Sequence, residues 1–191
     1  MSSLVGNQSP RESKGTKPGS LALCYAMEEI VRRAQRGDPA AIIAVVELLA
    51  PWIGRLCGSI ALDRGDDARQ ETLMVIVRNL ATLREPAALY GWARRIAVRE
   101  SLRQLRPANE TITATVPDQG DIDAFTTALA DHIDVNTVLA KLTPEHRAVL
   151  VLRYLEDLSE DDTAELLAID IGTVKSRTSR ARTSFARKWN P

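Results

Sequence analysis

LSEDDTAELLAIDIGTVKSRTSRARTSFARKW, residues 158–189, reads as two helices joined by a tight turn. Ser159 suits an N-cap, because its hydroxyl can accept a first-turn amide hydrogen, and Asp162 stands three residues on like a capping-box acid. Ala164, Leu167 and Ile169 then supply small or apolar positions at helical spacing. Asp170 is a second N-cap candidate, and the helix it opens carries Val174 on its inner side. The outward positions Thr173, Lys175, Ser176, Arg177, Arg180, Arg182, Arg187 and Lys188 include no acid. Two helices cross closely only where a side chain is small, so Ala164, a turn and then Val174 suit a helix-turn-helix. A basic second helix is what the major groove of DNA requires. A plain helical hairpin with a solvated basic face fits the same residues, so the surrounding chain has to decide.

Working outward, composition favours helices. Hydrophobic residues make up 45% of the 191 and aromatics only 4%, so the cores must be built from Leu, Val, Ile and Ala. The formal net charge is +0, but it is unevenly spread: residues 94–106 and 173–188 are basic, residues 110–134 and 156–170 acidic. Such a chain can meet nucleic acid with one face and a basic protein with another. Cys24 and Cys57 are the only cysteines, His132 and His146 the only histidines. Neither pair has metal-ligand or disulfide-framework spacing, so no metal and no cofactor is expected. The apolar run 42–51 is too short and interrupted to span a membrane, and the N-terminus lacks a signal-peptide pattern. A cytoplasmic protein with no membrane partner is expected.

Upstream, residues 1–25 read as a disordered extension, since the first twenty are rich in Ser, Gly, Pro and Lys without apolar periodicity. A short helix is predicted over about 26–36, stopped at Gly37. Asp38 and Pro39 supply an N-cap and a first-position proline for the next helix, over 40–61. Ile42, Ile43, Val46, Leu49, Ile53, Leu56 and Ile60 recur there at helical spacing, and Pro51 should kink or divide the run. A helix over 66–83 carries Leu73, Ile76, Val77 and Leu80 as its apolar stripe, with acids crowding its first turns. Another begins at Pro86 and runs to about Arg106, with arginines between its apolar residues. Residues 108–133 read as a flexible acidic linker, with a brief helical turn near 125–129. A second helical unit starts near Asp134. Thr143 and Pro144 repeat the cap-plus-proline signal, and Val149, Leu150, Leu152 and Leu155 form the face of the following helix. The expected fold is all-α, with helical domains at 26–107 and 134–191.

These residues carry a resemblance. LAKLTPEHRAVLVLRYLEDLSEDDTAELLAIDIGTVKSRTSRAR resembles region 4 of the sigma-70 family of RNA polymerase sigma factors, in its extracytoplasmic-function group; VLVLRYLEDLS and GTVKSRTSRAR are its most specific phrases. DDARQETLMVIVRNL followed by YGWARRIAVRESLRQLR resembles region 2, and ELLAPWIGRL that region's first helix. The resemblance covers roughly residues 26–107 and 134–189, and both halves in this order are far more specific than either alone.

It implies a non-enzymatic protein that binds bacterial core RNA polymerase and directs promoter-specific initiation. The helix 66–83 matches the one that docks on the clamp helices of the polymerase's largest subunit, with Asp67, Gln70, Glu71 and Arg78 as contact candidates. The loop near Arg84 and the helix after it match the part that captures the unstacked minus-ten strand. Such capture needs charge for phosphates, from Arg94, Arg95, Arg99 and Arg103, and a stacking surface, for which Tyr90 is the candidate; Trp92 at its spacing reads as core. Thr173, Lys175, Ser176, Arg177 and Arg180 begin the helix that reads promoter DNA at the minus-thirty-five element, while Arg182 and Arg187 suit phosphates. The tether would let the free chain fold back on itself, or be clamped by an anti-sigma factor.

Four positions depart from the family pattern. Thr163 and Thr178 replace large apolar residues, Ala168 a turn glycine and Glu160 an aromatic. Buried without a partner, each threonine hydroxyl costs ~1–3 kcal/mol; bonded back to its own helix, it costs little. The competing readings are a stand-alone helix-turn-helix regulator and a helical adaptor for acidic partners. An enzyme is least supported, for want of a phosphate loop, metal cluster or nucleophile–base pair.

Overall fold

A computed structural model describes residues 18–105 and 135–189. The chain is all-α, with two helical domains. In the first, α1 (Pro18–Gln35), α2 (Pro39–Ala61), α3 (Gly65–Asn79) and α4 (Leu89–Gln104) form a bundle around α2. The expected cap holds: the Asp38 carboxylate accepts from the amides of Ala40 (3.0 Å) and Ala41 (3.3 Å), and Pro39 opens the helix. Val45, Leu49, Ile53 and Ile60 are at most 1% exposed and meet Val31 and Ala34 of α1, Ile76 of α3, and Leu89 and Ala93 of α4. Each such aliphatic side chain contributes about 1.5–3 kcal/mol by leaving water. By length and hydropathy α2 passes the composition test for a membrane span, unlike the shorter run considered above, yet its apolar stripe is the hub of this bundle.

Ile43, expected in the apolar run of α2, is 58% exposed, and three further features differ from expectation. Helix α1 begins at Pro18, within the stretch expected to be disordered, because proline is compatible with a helix's first turn and LALCYAM continues in good helix formers. Residues 1–17 of that expected extension lie outside the described residues. Pro51 does not divide α2, which runs unbroken through it; an exposed proline inside a helix forfeits one hydrogen bond but need not end it when the apolar face stays packed. On α3 the buried stripe is Gly65, Ala68, Thr72 and Ile76, continuing to Leu80 in a short 3₁₀ turn (Leu80–Thr82). Val77, expected inside, is exposed. The cause is Gly65: a Cβ there would lie 2.7 Å from the Gly58 Cα, so the two glycines let α2 and α3 touch backbone to backbone and fix which side of α3 faces in.

The second domain comprises α5 (Val135–Ala140), α6 (Pro144–Leu150), α7 (Glu160–Leu167) and α8 (Ile171–Trp189). The expected linker at 108–133, with its brief turn, lies outside the described residues. Thr143 caps α6 by accepting from the His146 amide, with Pro144 in the first turn, and Ser159 caps α7 by accepting from the Asp162 amide at 3.0 Å. Beyond α6 the chain widens into a π-helical turn, Val151–Leu155, closed by the Glu156 amide donating to the Val151 carbonyl. One extra residue in the turn rotates the side chains beyond it about the helix axis. Leu155, expected on the buried face, is therefore 59% exposed, while Val151 and Leu152 hold the core.

Candidate nucleic-acid interface

The helix-turn-helix of α7 and α8 forms as its sequence suggests. Ala168 ends α7 in the left-handed region (φ 53°), where glycine is the residue without steric cost. Val174, Thr178 and Ala181 form the buried line of α8, spaced by four and three residues, and pack on α6 and α7. Both threonine departures are thereby resolved. Thr163 is buried, but its hydroxyl donates to the Ser159 carbonyl at 2.8 Å; the Thr178 hydroxyl is buried with no hydrogen-bond partner. Lys175, Ser176 and Arg180 face solvent, with Thr173 and Arg177 half-buried beside them. Ser176 donates to the Thr173 carbonyl and Lys175 sits 3.8 Å from Glu160. The five predicted residues thus lie along one helix, α8, whose buried line of Val174, Thr178 and Ala181 seats it on the domain.

On α3, Asp67, Gln70 and Arg78 are exposed, and Glu71 is half-buried, 4.0 Å from Arg103. Between them lie Met74 and Val77, about 40% exposed. Sequence reading missed these two because helical periodicity assigned Val77 to the core. An exposed apolar pair ringed by charged and polar groups is the usual make-up of a protein-docking surface.

The basic face of α4 is real, but its arginines are paired. Arg94 Nε donates to Glu156 Oε2 at 2.9 Å, and its guanidinium carbon lies 5.7 Å from the centre of the Trp52 ring. Tyr90 meets that ring edge-on at 5.5 Å. Trp52 Nε1 also donates to Glu156, at 3.1 and 3.3 Å to its two oxygens. Arg95 pairs with Glu165 at 2.7 Å. Arg99 and Arg103 both hold the buried Glu100, and its hydrogen bond keeps the Arg103 guanidinium pKa above its ordinary value. Arg84 is exposed in the loop before α4, and Trp92 packs against the core, as its spacing suggested.

Glu156 and Glu165 belong to the second domain, so the two domains touch. A third link is Arg147, whose guanidinium is buried and donates to the carbonyls of Leu139 (2.9 Å), Leu142 (3.0 Å) and Ile60 (2.8 Å). Ile60 lies at the C-terminus of α2, where carbonyls lack intrahelical partners and a cation is favoured. Burial pushes the Arg147 pKa down to about 10, so the group is still charged at neutral pH. Trp52, Glu156 and Arg147 were not picked out from sequence. Only Arg147 left a trace there, three and four residues before the buried Leu150 and Val151.

An all-helical chain of two domains, with a helix-turn-helix whose exposed second helix is basic, has the make-up of a DNA-binding protein. The family described as "Sigma-70, region 4" matches residues 132–185. The protein named ECF RNA polymerase sigma factor SigM, of Mycobacterium tuberculosis, is 36% identical over 122 residues, covering 64% of this chain and 62% of its own length. That match spans a little under two-thirds of the relative. The ECF RNA polymerase sigma-E factor of Haemophilus influenzae is 28% identical over 180 residues, covering 86% of this chain and 95% of the relative. Among solved structures, the sigma factor RpoE of Bartonella quintana, crystallised in complex with the anti-sigma factor NepR, shares the fold. It aligns with TM-score 0.55 and 23% identity over 75% of this chain and 93% of that one. Over residues 132–185, then, the chain matches region 4 of the sigma-70 family, and the relatives it resembles are named ECF sigma factors.

Proposed function

We infer that the protein is a sigma factor: it binds bacterial core RNA polymerase and directs transcription from promoters with particular minus-ten and minus-thirty-five elements. It is a non-catalytic initiation factor and acts in the cytoplasm, where the polymerase works. The observation that carries this reading is the joint presence, in one chain, of an exposed basic helix in a helix-turn-helix and a separate stripe on α3 of exposed Met74 and Val77 among charged groups. A regulator that binds its operator without polymerase needs the first and has no use for the second.

Each surface then has a role. The α3 stripe of Asp67, Gln70, Glu71 and Arg78, centred on Met74 and Val77, meets the clamp helices of the polymerase's largest subunit; apolar contact gives affinity and the charges give register. Arg84, Tyr90, Arg94, Arg95, Arg99 and Arg103 face the unpaired minus-ten strand, combining charge with a stacking ring. Thr173, Lys175, Ser176, Arg177 and Arg180 reach base edges and phosphates in the minus-thirty-five major groove. With net charge +0, the free protein has little general attraction for DNA, and docking both domains on one polymerase supplies the effective concentration that each weak contact lacks. The anti-sigma complex of the Bartonella relative makes an anti-sigma factor a reasonable partner here too.

Gel filtration with purified core enzyme tests this. A sigma factor co-elutes with core in the absence of DNA. A stand-alone regulator elutes separately and shifts operator DNA unaided.

A further inference from the structure

The first turn of α7 carries three acids, Glu160, Asp161 and Asp162, in three different settings. Asp162 is tied into the cap: its carboxylate accepts from the Ser159 hydroxyl at 2.5 Å, and its amide donates back to that oxygen at 3.0 Å. Asp161 is exposed to solvent. Glu160 lies against α8, its Oε2 3.8 Å from Lys175 Nζ, with the two side chains 35% and 60% exposed. The backbone beneath it is fixed. Both the amide and the hydroxyl of Thr163 donate to the Ser159 carbonyl, and α7 packs directly on α8 with Thr163, Ala164 and Val174 buried. Glu160 is one of the four departures singled out in the sequence, and neither the cap nor the core accounts for it.

So exposed an ion pair contributes little to stability. Its consequence lies in where it puts the lysine. A lysine ammonium is a point charge on a flexible stem, equally able to meet a phosphate or a base edge. A carboxylate beside a DNA-reading helix repels phosphates and lowers affinity for DNA of any sequence. The same carboxylate draws the ammonium to one place on α8. In the major groove, the edge suited to that ammonium is the O6 and N7 acceptor pair of guanine.

We propose that Glu160 is a positioning residue for promoter reading: it holds Lys175 for the edge of a guanine in the minus-thirty-five element and denies it to phosphates. Affinity for DNA in general is given up for discrimination between sequences. This rests on the reading of α8 as the minus-thirty-five helix. Freed from Glu160, Lys175 meets whichever phosphate lies in reach, so binding gains one ionic contact and loses a base preference. A loss of discrimination together with a gain in salt-sensitive affinity is a signature that simple damage to the helix-turn-helix does not produce.

The test uses the full-length chain assembled with purified core polymerase. Its affinity is measured by anisotropy for double-stranded fragments of the gene's own upstream region, each base pair changed in turn, at several salt concentrations. Glu160→Gln keeps the shape and removes the charge; Asp161→Asn makes the same charge change one residue on, at an exposed position. The proposal expects Glu160→Gln to cut the preference at one G·C pair about tenfold. Preferences at the minus-ten element should stay as in the wild type, and the salt dependence should steepen by about 0.9 in log–log slope. Lys175→Met should flatten the same base pair, and adding Glu160→Gln to it should flatten that pair no further, because the effect runs through Lys175. Asp161→Asn should leave the base profile unchanged. A wild-type preference that Glu160→Gln does not move sinks the proposal and leaves the reading of α8 standing. An equal change with Asp161→Asn reduces the effect to general charge, and further flattening in the Lys175→Met background shows Glu160 acting by another route; either result overturns it. A wild-type holoenzyme that prefers no upstream base pair, or a chain that never joins core polymerase, sinks the underlying reading and this proposal with it.

Discussion

Replacing Thr178 by valine should make the protein more stable, and replacing Thr163 by valine should make it less so, although both threonines are buried in the same helix-turn-helix. The substitution is nearly isosteric, so packing changes little and the hydroxyl decides the sign. At Thr178 the hydroxyl has no partner, and burying it costs ~1–3 kcal/mol relative to water. Valine removes that cost, for an expected gain of ~1 kcal/mol once partial relaxation in the native protein is allowed for. At Thr163 the hydroxyl donates to the Ser159 carbonyl at 2.8 Å, and the same carbonyl accepts from the Thr163 amide at 3.0 Å. Valine there loses one net hydrogen bond, about 0.5–1.5 kcal/mol, and leaves no acceptor orphaned. Urea unfolding of the full chain reads both changes. Trp189 stacks near Phe185, 5.6 Å between ring centres, so its fluorescence reports on the second domain. For a domain of this size, 1 kcal/mol moves the midpoint temperature by about 4–8 °C. If both variants shift the same way, the hydrogen-bond argument is wrong.

Further consequences are open to test. Ala168→Gly should stabilise the second domain by ~1 kcal/mol, because φ of 53° strains a side chain that glycine lacks; thermal unfolding measures it, and a loss would contradict the left-handed assignment. Arg177→Ala should weaken promoter-dependent transcription by an amount equivalent to ~1–3 kcal/mol at one base position, while core-polymerase binding stays intact. Equal loss of both would remove the division of labour between α3 and α8. Val77→Asp puts a charge in the centre of the α3 stripe and should sharply reduce co-elution with core polymerase. Because Val77 is exposed, unfolding free energy should change by less than ~0.5 kcal/mol.

Local chemistry was legible in the sequence. Asp38 with Pro39, Thr143 with Pro144, and Ser159 before Asp162 all cap the helices they were expected to cap, because a cap involves only neighbours in the chain. Val174 was placed inside for the same reason: the α8 stripe repeats over several turns. Readings that depend on a partner helix fared worse. Val77 was assigned to the core by periodicity, but the Gly58–Gly65 contact decides the facing of α3, and it joins two helices. Leu155 was placed inside on a 3.6-residue repeat that the π turn breaks. For the candidate site, the residue types on α4 and α8 were legible, whereas their partners were not. The pairing of Arg94 with Glu156, 62 residues on, and of Arg147 with Ile60, 87 residues back, has no local signature.

The central claim is that this chain gives core RNA polymerase a promoter to start from. Run-off transcription with purified bacterial core enzyme, on a template carrying the gene's own upstream region, tests it most directly. The account predicts a discrete transcript that requires this protein, is weakened by Arg177→Ala and is lost with Val77→Asp. A template transcribed equally with and without the protein, alongside separate elution from core, would contradict it and favour a regulator that never joins the polymerase.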